Sequence, residues 1–242
     1  IKQTDPKGFD YNYEYQKNTK NLETAISAAG VPTSYNYDSY GNPIRTQTGR
    51  NLLAYYDFDG TLANKKYPNG APAVSYGTSF ATGKRGQALH FNGSSYATLA
   101  RQSLPESFSI SLWVKPSSTA HGQAFIGKSD SSGDDIVLLG YYSGIHAKIQ
   151  NDGDSAESIT TNWQHLVLTV AKVNSTQTDV QIYRDSKRIL HKRCNGTVGN
   201  STSLWTLGTD WDNVNGTATP SDYFTGEIDE VAFFDGVLSK KE

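Results

Sequence analysis

Residues 108–116, with the sequence FSISLWVKP, alternate apolar and polar side chains along most of their length. A period of two is that of a β-strand with one face turned toward a core and the other toward solvent. The segment is therefore predicted to be a strand of an antiparallel sheet.

Short strands of the same kind recur at regular spacing on both sides of this segment, and helical periodicity is nearly absent. Turn residues such as Asn92-Gly93 and Asp185-Ser186 separate them, as in β-hairpins. Evenly spaced short strands with turns between them predict an all-β sandwich or barrel. The predicted strands cover residues 52–58, 88–91, 96–99, 108–114, 136–139, 166–170, 180–183 and 228–234.

The composition agrees with a globular β-protein and excludes several partners. Of 242 residues, 22 are Gly and 15 are Tyr, and the net charge is -2. Because no basic stripe is present, neither nucleic acid nor an anionic membrane surface is expected as a partner. No apolar run approaches the roughly 18 to 20 residues that span a bilayer.

The single Cys194 leaves no internal disulfide. The start at Ile1 without a signal-peptide pattern suggests a piece of a longer protein.

Three ordered segments resemble the laminin G-like domains of bacterial proteins: LAYYDFDG (53–60), GQALHFNG (86–93) and FSISLWVKP (108–116). Further matching segments follow in the expected order, namely WQHLVLT (163–169), IYRDS (182–186), LGTD (207–210) and FTGEIDEV (224–231). The resemblance covers about residues 51–242 and implies a two-sheet antiparallel jelly-roll sandwich of the concanavalin A-like type. We assign residues 50–242 to this domain. Lectins, adhesion modules and some glycosidases share the scaffold, so the fold alone does not give the function.

Residues 1–49 have a different, tyrosine-rich pattern. Tyr13-Glu14-Tyr15 and Tyr35-Asn36-Tyr37-Asp38 form two copies of one short unit, and the second continues into YGNP (40–43). The second copy resembles the YD repeat of Rhs-type proteins, which are secreted bacterial proteins. Because two partial units cannot bury a continuous core, residues 1–49 are predicted to be a small N-terminal β-hairpin appendage.

The segment Glu227-Ile228-Asp229-Glu230 resembles the catalytic strand of laminarinase-like glycosidases, which have a Glu-x-Asp-x-Glu pattern on this fold. A retaining mechanism needs two carboxyl groups about 5 to 5.5 Å apart. Val231 stands where the second glutamate is required, and Glu230 points to the opposite face unless the strand carries a bulge. We therefore predict no catalytic residues and no enzymatic activity.

The same region predicts a structural calcium ion. Asp59 and Asp229 match positions that commonly help to bind calcium in similar domains, and Asn92 lies in a turn that could join them. Calcium takes several oxygen ligands, which converging loops at a sandwich edge can supply. The alternative is that these carboxylates cap turns or pair with basic side chains.

Trp211 is the predicted ligand contact because it lies in a polar segment, GTDWDNVNG (208–216), where no periodicity turns it inward. Asp210 and Asp212 flank it, and Tyr142 and His146 lie in a predicted hairpin that could line the same surface. Sugars are bound by an aromatic ring against their C–H groups and by polar groups at their hydroxyls. The alternatives are that Trp211 covers the core or packs on the N-terminal segment, and that Tyr142 and His146 pack across strands.

The other three tryptophans, Trp113, Trp163 and Trp205, lie in apolar strand patterns and are predicted to be core residues. The sequence thus predicts a non-catalytic recognition or adhesion module of a larger bacterial surface or secreted Rhs-like protein, carbohydrate-binding and with a structural calcium. A glycan or another cell-surface ligand is the expected partner, the isolated domain is expected to be monomeric, and no membrane insertion is expected. A structural spacer or protein-interaction domain is the alternative, and a laminarinase-like glycoside hydrolase is the third hypothesis.

Overall fold

The structure is a computed structural model, and all its regular secondary structure in the described residues is β-strand. The described residues are 1–4, 10–16, 21–26, 32–37, 40–48, 50–100, 104–130, 135–198, 204–214 and 217–239. Two compact units divide the chain: Ile1–Asn51 together with Val237–Glu242, and Leu52–Gly236. None of the described residues belongs to a helix with the length and hydropathy needed to cross a bilayer.

The first unit contains a five-stranded antiparallel sheet whose strands pair in chain order. Its strands are β1 (Lys2–Thr4), β2 (Asp10–Tyr15), β3 (Leu22–Ile26), β4 (Pro32–Tyr37) and β5 (Pro43–Thr48). Each tyrosine-rich copy supplies one strand, β2 or β4, which forms a hairpin with the strand after it. Because β3 also pairs with β4, the two hairpins join into one sheet, which is larger than the hairpin appendage predicted from the sequence.

The second unit is a sandwich of two large antiparallel sheets, as predicted. Its strands are β6 (Leu52–Tyr56), β7 (Val74–Tyr76), β8 (Ser79–Thr82), β9 (Gln87–Asn92), β10 (Tyr96–Leu99), β11 (Phe108–Pro116), β12 (Gln123–Ser129), β13 (Asp135–Tyr141), β14 (Ile145–Ile149), β15 (Asp152–Ser155), β16 (Gln164–Lys172), β17 (Gln177–Arg184), β18 (Lys187–Asn195), β19 (Trp205–Leu207), β20 (Asp210–Val214), β21 (Thr217–Ser221) and β22 (Thr225–Asp235). The seven-stranded sheet has the order β15-β14-β13-β12-β19-β10-β7. The eight-stranded sheet has the order β18-β17-β16-β11-β22-β9-β8, and β6 pairs with β22 beside β9. Strands β20 and β21 form a separate two-stranded hairpin.

The core lies between the two sheets, and the alternation of β11 explains how it is filled. Phe108, Ile110, Leu112 and Val114 are fully buried on the inner face of this strand. Trp205 of the seven-stranded sheet meets Phe108 edge-on at a ring distance of 6.0 Å. The prediction of Trp205 as a core residue is therefore confirmed.

Trp113 and Trp163, predicted to be core residues, are only half-buried. On β11 Trp113 occupies the same phase as Ser111 and Lys115, so the strand turns its ring to the outer face of the eight-stranded sheet. The Lys84 ammonium lies 4.3 Å from the centre of the Trp113 ring. The sequence alone did not reveal this outward position. Trp113 is apolar and lies between Leu112 and Val114, so the three residues look like one buried run.

Candidate functional site

The hairpin β20–β21 positions the candidate site. The sequence predicted a loop here, whereas the chain leaves the seven-stranded sheet after β19 and forms strand β20, which contacts β12 and β13. Gly208 makes this exit possible, because its φ of +77° is a left-handed conformation and a Cβ there would overlap the ring of Phe91. Successive side chains of β20 point to opposite sides of the hairpin, so Asp210 and Trp211 face different surroundings.

Trp211 contacts one tyrosine of the seven-stranded sheet, which in turn stacks on a second. Its half-buried ring meets Tyr96 edge-on, with ring centres 5.7 Å apart. Tyr96 in turn stacks on Tyr76, with ring centres 4.5 Å apart and the planes inclined by 9°. We call Tyr76, Tyr96 and Trp211 the aromatic platform. Tyr76 remains 46% exposed, and Pro220 lies opposite Trp211 in the hairpin, so an apolar surface is open to a ligand.

Strand register explains why Tyr76 and Tyr96 meet. They are direct partners of β7 and β10, and Ala97 and Leu99 of β10 point into the core, which turns Tyr96 outward. Burial raises the pKa of the Tyr96 hydroxyl, and the neighbouring Tyr76 and Tyr223 hydroxyls raise it further. The Tyr96 hydroxyl is therefore uncharged at neutral pH. Neither tyrosine was predicted as a site residue, because sequence alternation reveals the outward phase of a tyrosine but not the strand it will pair with.

Asp210 lies on the other side of β20 in a partly buried polar cluster, which we define as Asp135, Tyr142, His146, Lys148 and Asp210. Asp210 is 3% exposed, and burial raises the pKa of its carboxyl to about 8, with the adjacent Asp135 carboxylate adding to the effect through a hydrogen bond and its charge. Asp210 is thus largely protonated at pH 7. The Lys148 ammonium forms an ion pair with Asp135.

Lys148 itself is held charged by these acids. Burial works to lower its pKa, but the hydrogen bond and charge of Asp135, together with the charges of Asp212 and of Asp210 once it ionises above about pH 8, raise it above the ordinary value. Asp212 is exposed on the hairpin. Asp135 and Lys148 were not among the residues predicted from the sequence, since nothing in their local pattern marks them as neighbours of Asp210.

Tyr142 and His146 complete the cluster. Their rings lie 5.3 Å apart, and the Tyr142 hydroxyl donates a hydrogen bond of 2.8 Å to Asp222 Oδ2. Burial raises the pKa of Tyr142, as do the charges of Asp210 and Asp222. Burial also lowers the pKa of His146, helped by Lys148, so the imidazole is neutral at pH 7. The structure thus brings three predicted ligand residues together, Asp210, Tyr142 and His146, and places Trp211 apart from them on the aromatic platform.

The glycosidase-like segment of β22 contains a bulge, which is what Glu230 would need in order to share a face with Glu227 and Asp229. Glu230 has a φ of 53°, and the register with β11 shifts between Ser111 and Trp113. The Glu230 carboxylate nevertheless accepts the Tyr55 hydroxyl at 2.6 Å. Val231 is fully buried in the core, so no carboxylate occupies the position of the second catalytic glutamate.

The predicted calcium ligands do not converge on one site. Asp59 Oδ1 accepts the backbone N–H of Gln87 at 2.6 Å, at the start of β9. Asn92 lies at the far end of that strand, roughly 17 Å from Gln87 at about 3.3 Å per residue, where it accepts the N–H and hydroxyl of Ser94. In the described part of the chain, no three His, Cys, Asp or Glu side chains are grouped to hold a metal.

Asp229 is engaged by backbone amides instead. Its Oδ2 accepts the N–H groups of Lys84 and Arg85 at 2.8 and 3.1 Å, and its Oδ1 accepts that of Glu230 at 2.8 Å. The side chain is fully buried, and burial raises its pKa to about 6. Three of its roughly four lone-pair positions are thus filled. Asp59 and Asp229 thus both bind backbone amides of the turn between β8 and β9, within residues 84–87, whereas Asn92 lies at the other end of β9.

The sandwich of two antiparallel sheets is the architecture of the concanavalin A-like class of β-proteins. A family model described as the concanavalin A-like lectin/glucanases superfamily matches residues 91–242. The chain belongs to this superfamily. No protein of curated function matches the chain.

Several solved structures share the fold. Domain 4 of AbnA, a GH43 extracellular arabinanase from Geobacillus stearothermophilus, in complex with arabinotriose, superposes with a TM-score of 0.62 at 20% identity, covering 79% of this chain and 96% of that one. The binding domain of botulinum neurotoxin DC in complex with SialylT gives 0.55 at 15% identity, covering 78% and 48%. The binding domain of botulinum neurotoxin serotype C1 gives 0.54 at 13% identity, covering 78% and 49%. At these identities the likeness extends to the fold alone.

Proposed function

We propose that the sandwich is a non-catalytic carbohydrate-binding module and that the aromatic platform contacts the sugar. The observation that carries the proposal is the chain of touching rings Tyr76, Tyr96 and Trp211, open to solvent beside the seven-stranded sheet. An aromatic face covers the C–H surface of a sugar ring, and polar groups around it bind the hydroxyls. The hydroxyls of Tyr76 and Tyr96 are suitable polar groups.

The similar structures support a sugar as the ligand. Domain 4 of AbnA is bound to arabinotriose, and the binding domain of botulinum neurotoxin DC is bound to SialylT. Both are binding parts of larger proteins, which supports the same role for this sandwich. We place it in a larger bacterial surface or secreted protein, with residues 1–49 as an Rhs-type YD-repeat fragment.

Neither catalysis nor calcium enters the proposal. A laminarinase-like mechanism would need a carboxylate where Val231 lies in the core, and Glu227 is already paired with His90 at 3.1 Å and Lys115 at 3.6 Å. Calcium binding by Asp59, Asn92 and Asp229 stays a prediction from the sequence. The alternative function is protein interaction, which the exposed apolar side chains Val74 and Phe80 favour.

A glycan array followed by isothermal titration calorimetry tests the proposal. Trp211→Ala should weaken binding of the best array glycan at least about tenfold, because the affinity depends on ring contact. Trp113→Ala is the matched control: it removes another half-buried tryptophan, on the outer face of the other sheet, and should change the affinity less than about twofold.

Thermal melting of both variants separates lost binding from lost folding. The proposal is contradicted if no array glycan binds, or if Trp113→Ala and Trp211→Ala weaken binding equally while both remain folded. Absence of glycan binding by a folded wild-type protein would favour the protein-interaction alternative.

A further inference from the structure

We infer that the aromatic platform binds a bent oligosaccharide chain and not the flat face of a polysaccharide, an inference that rests on the proposed function. The directions in which the three rings face lead to it. Tyr76 and Trp211 are the two ends of the platform, and their planes are nearly perpendicular to each other.

The order of the rings across the sheet follows from its topology. Tyr96 lies on β10, and β7, which carries Tyr76, pairs with one side of that strand. Trp211 lies on β20, which contacts β12 and β13, and these strands lie beyond β19 on the other side of β10. Tyr96 is therefore the middle ring, and a ligand that uses the full platform must reach from Trp211 to Tyr76.

The free face of Tyr76 is turned toward the edge of the sheet. Side chains stand roughly perpendicular to a sheet, and the ring centres of Tyr76 and Tyr96 are 4.5 Å apart, close to the strand spacing of about 4.7 to 4.9 Å. The two rings thus stack along the direction from strand to strand. Because β7 is the last strand of this sheet, the second face of Tyr76 looks away from the sheet, and the side chain is 46% exposed.

The Trp211 ring faces in a different direction. Its plane makes an angle of 87° with that of Tyr96, which is inclined by only 9° to that of Tyr76. No flat surface can therefore lie against the faces of both Tyr76 and Trp211. A chain whose neighbouring sugar units are turned relative to one another can cover the Trp211 face with one unit and the Tyr76 face with another.

Backbone groups at the edge of the sheet add polar partners beside Tyr76. In the described part of the chain β7 pairs with β10 alone, so the N–H and C=O groups on the other side of β7 have no partner strand. Backbone groups of this kind orient ligands in binding sites, and sugar hydroxyls can both donate to them and accept from them. A sugar unit on Tyr76 would thus gain hydrogen bonds as well as ring contact.

A chain-length series of the best array glycan tests the inference by isothermal titration calorimetry. The oligosaccharide should bind at least about tenfold more tightly than its monosaccharide unit, because only the longer ligand reaches both end rings. Tyr76→Ala and Trp211→Ala should each remove most of this advantage. The monosaccharide should be weakened by at most one of the two variants, since one sugar ring cannot cover both faces.

Tyr67→Ala is the matched control for Tyr76→Ala. Tyr67 is another exposed tyrosine, at 55%, but it precedes β7 and lies outside the platform. Its removal should change the affinity for the oligosaccharide less than about twofold. Thermal melting shows which variants remain folded.

Sedimentation with microcrystalline cellulose and with crystalline chitin tests the second half of the inference. Both polymers present flat faces, so the protein should stay in the supernatant. Adsorption to either one that is lost in Trp211→Ala would contradict the bent-chain inference.

The outcomes distinguish this inference from the proposed function. Equal affinity for the monosaccharide and the oligosaccharide, or an oligosaccharide affinity that Tyr76→Ala leaves unchanged, would overturn the bent-chain inference alone. Failure of the folded protein to bind any array glycan would overturn the proposed function and this inference together.

Discussion

Asp210 is a carboxyl group that the fold buries beside a second carboxyl group, Asp135, at the base of the hairpin carrying Trp211. Its pKa is raised from the ordinary 3.8 to about 8, first by burial and then by Asp135. The protonated form can donate a hydrogen bond to Asp135, whereas the ionised form places two buried negative charges side by side. Protonation of this single residue therefore stabilises the attachment of the hairpin.

The sign of the pH dependence follows from this shift. Because the folded-state pKa lies above the unfolded one, the contribution of Asp210 is fully present below about pH 4 and is lost as the pH rises through about 8. We predict that Asp210→Asn removes a downward slope in the free energy of unfolding between pH 4 and 8, a slope of at most about 1.4 kcal/mol per pH unit.

Urea unfolding of wild type and variant across this pH range measures the effect. Asp212→Asn is the control, since Asp212 is exposed on the same strand and its removal should leave the slope as it is in wild type. Parallel curves for wild type and Asp210→Asn would show that Asp210 does not titrate in this way.

At the scale of elements, the hairpin β20–β21 depends on Gly208. We predict that Gly208→Ala lowers the free energy of unfolding by about 3 kcal/mol or more, because the new Cβ would overlap the Phe91 ring in addition to being strained at a φ of +77°. Chemical denaturation measures the loss.

Gly77→Ala is a control with nearly the same backbone conformation. Its φ is +79°, but a Cβ there would meet its nearest atom, the Cβ of Ser95, at an ordinary 3.5 Å. It should cost only about 1 to 2 kcal/mol, the cost of the left-handed conformation. Equal losses in the free energy of unfolding of the two variants would mean that the overlap with Phe91 does not destabilise Gly208→Ala.

Strand alternation made the strands and their buried faces predictable from the sequence, but not the side-chain contacts between different strands. The phase of Phe108, Ile110 and Leu112 identified the inner face of β11, since period-two burial is a local property. The pairing of Tyr76 with Tyr96 could not be predicted, because it depends on which two strands pair and in which register, and strand alternation specifies neither. Of the predicted ligand residues, Asp210, Tyr142 and His146 come together only because β20 contacts β13.

At the scale of the whole molecule, the buried hydrophobic core belongs to one unit. Its described members run from Ala54 to Phe233, all inside Leu52–Gly236. We predict that a protein consisting of residues 52–236 folds by itself, unfolds in a single cooperative transition and binds the same glycans as the full chain.

Thermal and urea unfolding of this fragment, with calorimetry on the best array glycan, check the prediction. Its melting temperature should lie within a few degrees of the value for the sandwich in the full chain. A fragment that is soluble but unfolds without cooperativity would show that the sandwich depends on residues outside this range.

The pairing of β6 with the end of β22 makes Leu52 and Phe234 register partners, so the chain enters and leaves the sandwich side by side. Their Cα atoms are separated by about 5 Å, the ordinary spacing of paired residues in an antiparallel sheet. The whole domain could therefore be inserted into a surface loop of an unrelated protein whose two ends are separated by no more than this distance. The aromatic platform could then be moved with the domain from one carrier protein to another without an added linker.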